Sequence, residues 1–213
     1  MANEGRAQHK RPVRSLLLVL LSSIAVAEPL DPEQTELAVL VWKRGIAAAA
    51  GHDHVVRATR LGGSLDRPDP AHVKVDVTVE TASLIPDEPA LREKLRVGPA
   101  VKDSDRKTIE EHLKGPGQLD VEKFGTIHFE STQSRLDERG NGSIKGRLTL
   151  HGVTREVECP VTVTLVGNRL RGSARLRLAL SDYGVQPFSA LLGLLGNRDV
   201  VELVIELVTR PVP

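Results

Sequence analysis

The residues best placed to do chemistry are His52 and His54, set either side of Asp53 in the run Gly51-His52-Asp53-His54. On a strand, residues two apart share a face, so the two imidazoles would lie side by side. Neutral imidazole is a common ligand for zinc and other borderline metals. A structural metal site usually takes four ligands, and His128 or His151 would have to approach to complete one. The other reading is a hydrogen-bonded corner in which Gly51 supplies the bend. The shortage of local ligands favours the corner, and metal or haem binding by His52 and His54 stays as the alternative. His151 follows the apolar positions Leu148 and Leu150. Its parity turns it away from their face or leaves it in a turn. There it would fix the Gly152-Val153-Thr154 connection or cap the polar head of a ligand; the turn role is preferred, because a buried imidazole usually has a local partner.

Nucleophilic chemistry has little support. Ser181-Asp182 is not embedded in a G-x-S-x-G elbow, and no serine–histidine spacing suggests a triad. There is no phosphate loop and no dinucleotide fingerprint. Cys159, the only cysteine, has no histidine near it in sequence and precedes Pro160 in a strand-like run. It reads as a small buried residue. A lone cysteine cannot form an internal disulfide, although an intermolecular one stays open. The expectation is a protein that is not an enzyme, carries no cofactor, and stands on its hydrophobic core.

The compartment is read from the first 27 residues. His9, Lys10, Arg11 and Arg14 form a basic start, Leu16 to Leu21 an apolar run, and Ala25-Val26-Ala27 a small-residue cleavage pattern before Glu28-Pro29. This order is that of a secretory signal peptide, and the apolar run is short for a membrane anchor. The expectation is a cleaved signal at 1–27, one domain at 28–213, and a periplasmic or secreted protein. Loss of residues 1–27 leaves 25 Lys/Arg against 27 Asp/Glu, turning the whole-chain charge of +1 into −2. That balance argues against nucleic acid as a partner.

The elements that must position these groups are strands. Val73, Val75, Val77 and Val79 alternate with Lys74, Asp76, Thr78 and Glu80, giving one apolar face and one solvated face. The same pattern runs through Ile144, Gly146, Leu148 and Leu150, then from Leu170 through Ala174, Leu176 and Leu178 to Leu180, and finally through Val201, Leu203, Ile205 and Leu207. Further strands are predicted at 36–42, 55–65, 126–133 and 156–166, with Gly167-Asn168 as a tight hairpin turn. Eight strands with short connections suggest a sandwich or a barrel. Short helices are predicted at 89–95 and, behind an Asp103-Ser104-Asp105 cap, at 106–114. The apolar stretch 189–195 reads as a helical turn, a lid at a barrel mouth, a membrane-touching loop or a partner surface.

Several of these segments together resemble the YceI-like family. They are the run Leu119-Asp120-Val121-Glu122-Lys123-Phe124-Gly125-Thr126-Ile127-His128-Phe129, the run Gly146-Arg147-Leu148-Thr149-Leu150-His151-Gly152-Val153-Thr154, the run Ser181-Asp182-Tyr183-Gly184-Val185 with Pro187, and the closing strand at 199–207. Gly125 stands where the family usually has proline, and Gly51-His52-Asp53-His54 looks like the mark of a subgroup. The resemblance implies an all-β fold with one or two short helices: an antiparallel, eight-stranded, lipocalin-like β-barrel exported to the periplasm. It also implies a long apolar tunnel for an apolar or amphiphilic small molecule such as an isoprenoid, a quinone-like compound or a fatty chain.

Composition alone allows the barrel interior to be a filled core, and the resemblance turns the balance toward a tunnel. An aliphatic interior suits a flexible tail, because burying apolar area needs no directional partner. The candidate lining residues are Leu61, Phe129, Leu148, Leu150, Val163, Leu178 and Phe188. The candidate rim residues are His54, His151 and Tyr183. A structural or stress-response interaction module with a filled core is the remaining alternative.

Overall fold

The computed structural model describes residues 27–211; the candidate signal segment up to residue 26 lies outside the described residues. Nine longer strands organise the chain: β1 (Glu36–Val41), β2 (His54–Ala58), β3 (Leu61–Asp69), β4 (His72–Glu80), β5 (Thr126–Leu136), β6 (Asn141–Leu150), β7 (Val153–Val166), β8 (Arg169–Ala179) and β9 (Val200–Val208). Two helices, α1 (Pro89–Leu95) and α2 (Asp103–Lys114), lie between β4 and β5. The strands pair in the order β3-β4-β5-β6-β7-β8-β9-β1-β2, every pair antiparallel. The protein is thus mostly β with two short helices, built on one curled, barrel-like sheet.

The sheet has eleven strands rather than the eight expected. The predicted strand at 55–65 is broken at Thr59-Arg60 into β2 and β3, which lie toward opposite margins of the sheet. Two short strands, Glu28–Pro29 beside β3 and Leu84–Pro86 beside β2, make up the rest. The break has a physical cause. After β4 the chain turns through Thr81–Ser83, and Ser83 pins the bend from inside it. The Ser83 hydroxyl accepts from the Arg60 N–H, and the Ser83 carbonyl accepts from the Thr59 N–H and hydroxyl. Both arms of one long hairpin therefore bend together and carry the chain from one margin of the sheet to the other.

The alternation is expressed as expected along β4. Val73, Val75, Val77 and Val79 are buried against the same core as Ile144, Leu148, Leu150, Leu170 and Leu207. Gly146 keeps the inward face of β6 clear because the Phe129 ring occupies its space; a Cβ there would lie 2.5 Å from that ring. On the outer face Glu202 of β9 is gripped by Arg175 (2.5 Å) and Arg177 (3.0 Å) of β8. Gly167-Asn168 forms the two-residue connection between β7 and β8, with Gly167 at φ 62°.

α1 occupies the predicted residues. α2 begins at Asp103, three residues ahead of the predicted start, so Asp103 and Asp105 sit in its first turn. Carboxylates there complement the helix dipole, which lets them extend the helix rather than cap it. The stretch 189–195 contains one helical turn, of the 3-10 type, at Leu191–Gly193. Ser189–Ala190 and Leu195–Asn197 form a small hairpin around a 3-10 turn, and its second arm pairs with Lys43–Arg44 in a separate three-stranded sheet.

Candidate functional site

The inward faces of the strands do not meet at the centre. They enclose an elongated cavity of about 290 Å³ that reaches from His112 and Phe188 at one end to Leu65, Val163 and Leu207 at the other. Every long strand contributes aliphatic side chains: Leu37 and Val39 from β1, Val56 from β2, Val75 and Val77 from β4, Ile127 and Phe129 from β5, and their counterparts onward to β9. β3 supplies Leu65. Alternation puts these residues inside, and their β-branched and leucine side chains leave a smooth, apolar surface without donors or acceptors.

Polar lining is sparse and mostly gathered at one end. Apart from Ser173, it consists of His54, His112, Gln118 and Asn197. These come from the start of β2, the last turn of α2, the loop after it and the strand Leu195–Asn197. α2 lies across this end and lines the cavity with Ile109, His112 and Leu113. The His112 ring stacks on Phe188 at 5.9 Å between centroids. Gln118 Nε2 donates to the Gln186 carbonyl (2.7 Å), tying the loop after α2 to the segment that carries Phe188.

His54 is the best-anchored of the polar group. Its Nδ1 lies 2.7 Å from Asp87 Oδ2, and Asp87 is fully buried. A carboxylate accepts, so Nδ1 carries the proton and Nε2 is the ring nitrogen left for a ligand. Asp87 Oδ1 accepts from the Val55 N–H (3.1 Å) and from Arg92 Nη1 (2.5 Å). Arg92, also buried, donates onward to the carbonyls of Asp53 and Pro99 (2.7 and 2.9 Å) and to that of Val97. Burial alone would raise the Asp87 pKa. The hydrogen bond and charge of His54, the Val55 N–H and the charge of Arg92 outweigh it and hold the carboxyl below its ordinary value.

The Gly51-His52-Asp53-His54 run is therefore a hydrogen-bonded corner. Asp53 Oδ1 accepts the Lys43 N–H (2.9 Å), and Gly51 makes room for Leu195, whose Cδ1 would lie 2.7 Å from a Cβ. The His52 and His54 rings are 6.3 Å apart, and among the described residues no three His, Cys, Asp or Glu side chains gather as a metal site.

Of the lining residues expected from sequence, Phe129, Leu148, Leu150, Val163, Leu178, Phe188 and His54 border the cavity. Leu61, His151 and Tyr183 do not. Leu61 opens β3 next to the bend and packs against the outer part of the core. His151 sits in the turn between β6 and β7 at φ 51°, with its ring 4.1 Å from that of Phe124. Tyr183 is not at a rim: it is 1% exposed within the core, and its hydroxyl has no hydrogen-bond partner among the described residues. Burial pushes its phenol pKa up. Asp87, Arg92 and the α2 face were missed. The signal for Asp87 is faint, an aspartate between Pro86 and Glu88; the structure holds it at φ 56°. Cys159 borders the cavity, and burial with the nearby Glu158 charge raises its thiol pKa, which makes it a poor nucleophile.

A curled antiparallel sheet around an aliphatic cavity with a few polar groups at one mouth defines a barrel-like fold of the binding type. The profile of the YceI-like domain matches residues 29–209, and the chain belongs to that family. A UPF0312 protein of Serratia proteamaculans is 29% identical over 130 residues, covering 58% of each chain. A UPF0312 protein of Shewanella oneidensis is 28% identical over 147 residues, covering 64% of this chain and 66% of its own. The chain thus matches somewhat over half the length of these relatives. Among solved structures, BcnA of Burkholderia cenocepacia superposes with a TM-score of 0.64 at 16% identity, over 85% of this chain and 99% of its own. The YCEI protein of Campylobacter jejuni gives 0.54 at 18% identity, over 74% and 85%. These likenesses concern the fold.

Proposed function

We propose that this protein is an exported carrier that holds a molecule with a long aliphatic tail, isoprenoid or fatty, inside the sheet, with the polar head at the α2 end. The carrying observation is the cavity itself: open space lined by aliphatic side chains from every long strand, with polar side chains concentrated where α2 crosses. Burial of each methylene contributes about 0.8 kcal/mol, so a tail of about ten carbons supplies roughly 8 kcal/mol before the loss of translational freedom is subtracted. A head group then needs only one or two hydrogen bonds to set its direction. His54 supports that role because Asp87 fixes its ring before any ligand arrives.

Binding without catalysis is the reading, because among the described residues the cavity's groups are otherwise engaged: burial raises the Cys159 thiol pKa, His54 is bonded to Asp87 and His112 is stacked on Phe188. Export to the periplasm rests on the basic, apolar and small-residue order of residues 1–27. The test is mass spectrometry of lipid extracted from protein purified gently from its exported form. The expected result is one class of long-tailed amphiphile in near-stoichiometric amount. Protein that is consistently empty, and that takes up neither isoprenoid quinones nor fatty acids, overturns the proposal.

A further inference from the structure

Beside the mouth, two chain segments project together. The turn after Lys43–Arg44 carries Ile46, 89% exposed, and the 3-10 turn Leu191–Gly193 with its neighbour carries Leu191, Leu192 and Leu194 at 62, 104 and 46%. They form one structural unit. Leu195–Asn197 pairs with Lys43–Arg44, and the Ala47 N–H donates to the Leu194 carbonyl at 3.0 Å. Four large aliphatic side chains are thus displayed on one projecting tip, whereas single exposed apolar residues would call for no explanation.

The backbone is built to display them. Leu191 and Leu192 both hold left-handed conformations, at φ 50° and 56°. Bulky side chains rarely occupy that region, where glycine or asparagine would be at ease. Leu192 gains no packing from it, since its side chain is completely exposed. The fold accepts strain to hold apolar groups away from its own core.

The two segments that build the tip carry formal charge of one sign. Between Trp42 and His52 the only formal charges are Lys43 and Arg44, and from Tyr183 to Arg198 the only one is Arg198. Arg44 and Arg198 are exposed, and the Arg44 Nε–H donates to the Asn197 carbonyl (2.8 Å), which holds its cation against the hairpin. The chain as a whole carries 28 Asp and Glu, yet none falls in these two segments. Projecting aliphatic side chains on segments that carry cations and no carboxylate of their own, with Asp53 held at their base by the Lys43 N–H, match the interface of an anionic bilayer: tails below, phosphates above. Among the described residues no helix is long and apolar enough to span a membrane, so the contact is with the surface.

We infer that Ile46, Leu191, Leu192 and Leu194 insert into an anionic lipid surface and seat the cavity mouth against it. Continuity with the cavity supports this partner over others. Phe188 and Asn197, which border the cavity, directly flank the hairpin, and Arg198 donates its N–H to the Trp42 carbonyl at 2.7 Å. The inference gives the proposed carrier its route for loading and unloading a tail without passing it through water, and to that extent it rests on that reading.

The experiment is flotation of the signal-less protein with vesicles of equal parts phosphatidylethanolamine and phosphatidylglycerol, and with vesicles of phosphatidylcholine alone. The wild type is expected to float with the anionic vesicles and far less with the neutral ones. The double variant Ile46→Ser/Leu192→Ser, altered only at exposed side chains, is expected to lose about tenfold or more of the bound fraction. Arg44→Ala/Arg198→Ala is expected to erase the preference for anionic vesicles. Uptake of a fluorescent polyene fatty acid in vesicle-free solution is measured in parallel and stays unchanged in both variants. Failure of that uptake in the wild type strikes the carrier reading, whereas flotation unaffected by the serine variant, or absent, overturns the membrane contact. A concentration-dependent dimer that the serine variant disperses, without wild-type flotation, assigns the tip to a second copy of this chain and likewise overturns it.

Discussion

The two ends of the curled sheet are made from the same alternating strands and finished in different ways. Where β9 ends, the chain seals the cavity with its own backbone. Leu30 packs beneath Leu65 and Leu207 in the core, its N–H donates to the Gly63 carbonyl, and it bridges to Thr209. Thr35 and Thr209 exchange hydrogen bonds with Val208 and Leu170. Arg169 joins Asp31 at 2.7 Å. Gly172 leaves space for Leu65, and Leu65 is fully buried. Where β9 begins, the cover is a helix without a single buried residue and a hairpin with exposed leucines. The difference teaches where rigidity and access are placed. One end is closed by fully buried, closely packed residues that resist opening, and the other by a helix with no buried residue and a hairpin with exposed leucines, which can part.

The comparison is broken most severely at the mouth's one rigid feature. Asp87→Ala leaves Arg92 buried without its carboxylate, and uncompensated buried charge costs about 3–5 kcal/mol. Urea unfolding should show that loss, with Asp87→Asn between the variant and the wild type. At the sealed end Leu65→Ala should cost about 2–5 kcal/mol, because a tightly packed leucine leaves a void. Leu178→Ala in the cavity wall should cost only about 1 kcal/mol, since its side chain is half-buried, whereas Leu65 is fully buried where it caps the far end of the cavity. Equal losses at Leu65 and Leu178 would mean that the interior is filled.

Acid sharpens the same contrast. Folding lowers the Asp87 pKa, so the unfolded chain takes up a proton first as pH falls. The Asp87 contribution is complete above the ordinary carboxylate value of about 3.9 and drains away as pH drops through the lower folded value. Unfolding free energy measured downward from neutral pH should fall across that window, and less steeply in Asp87→Asn. The smallest effect is on Cys159. Its buried thiol, with a raised pKa, should react slowly with iodoacetamide in the native protein, and more slowly again with a tail bound.

Much of the wall was legible because strand periodicity decides which side chains face inward. Phe129, Leu148, Leu150, Val163 and Leu178 follow from period two alone. Leu61 shows the limit of that rule: it packs against the core, yet beside the bend at Thr59-Arg60, which Ser83 pins from more than twenty residues away, it lies outside the cavity lining. Tyr183 is a candidate rim residue by sequence, but the turn Leu180–Tyr183 places it in the core. The Asp87–Arg92–His54 network could not be read, since it joins three elements through single side chains with no spacing rule. The corner at His54 was readable in kind, from too few ligands for a metal, but its partner was not.

The central proposal is that the cavity within the core takes up a long-tailed ligand. It is tested most directly by titrating a fluorescent polyene fatty acid into the wild type and into Ala174→Trp, which places an indole in the cavity from the wall of β8. The account predicts saturable one-to-one uptake by the wild type and at least a tenfold weaker affinity, about 1.4 kcal/mol or more, in a variant that remains folded. Uptake that is absent from the wild type, or equal in the two, would contradict it.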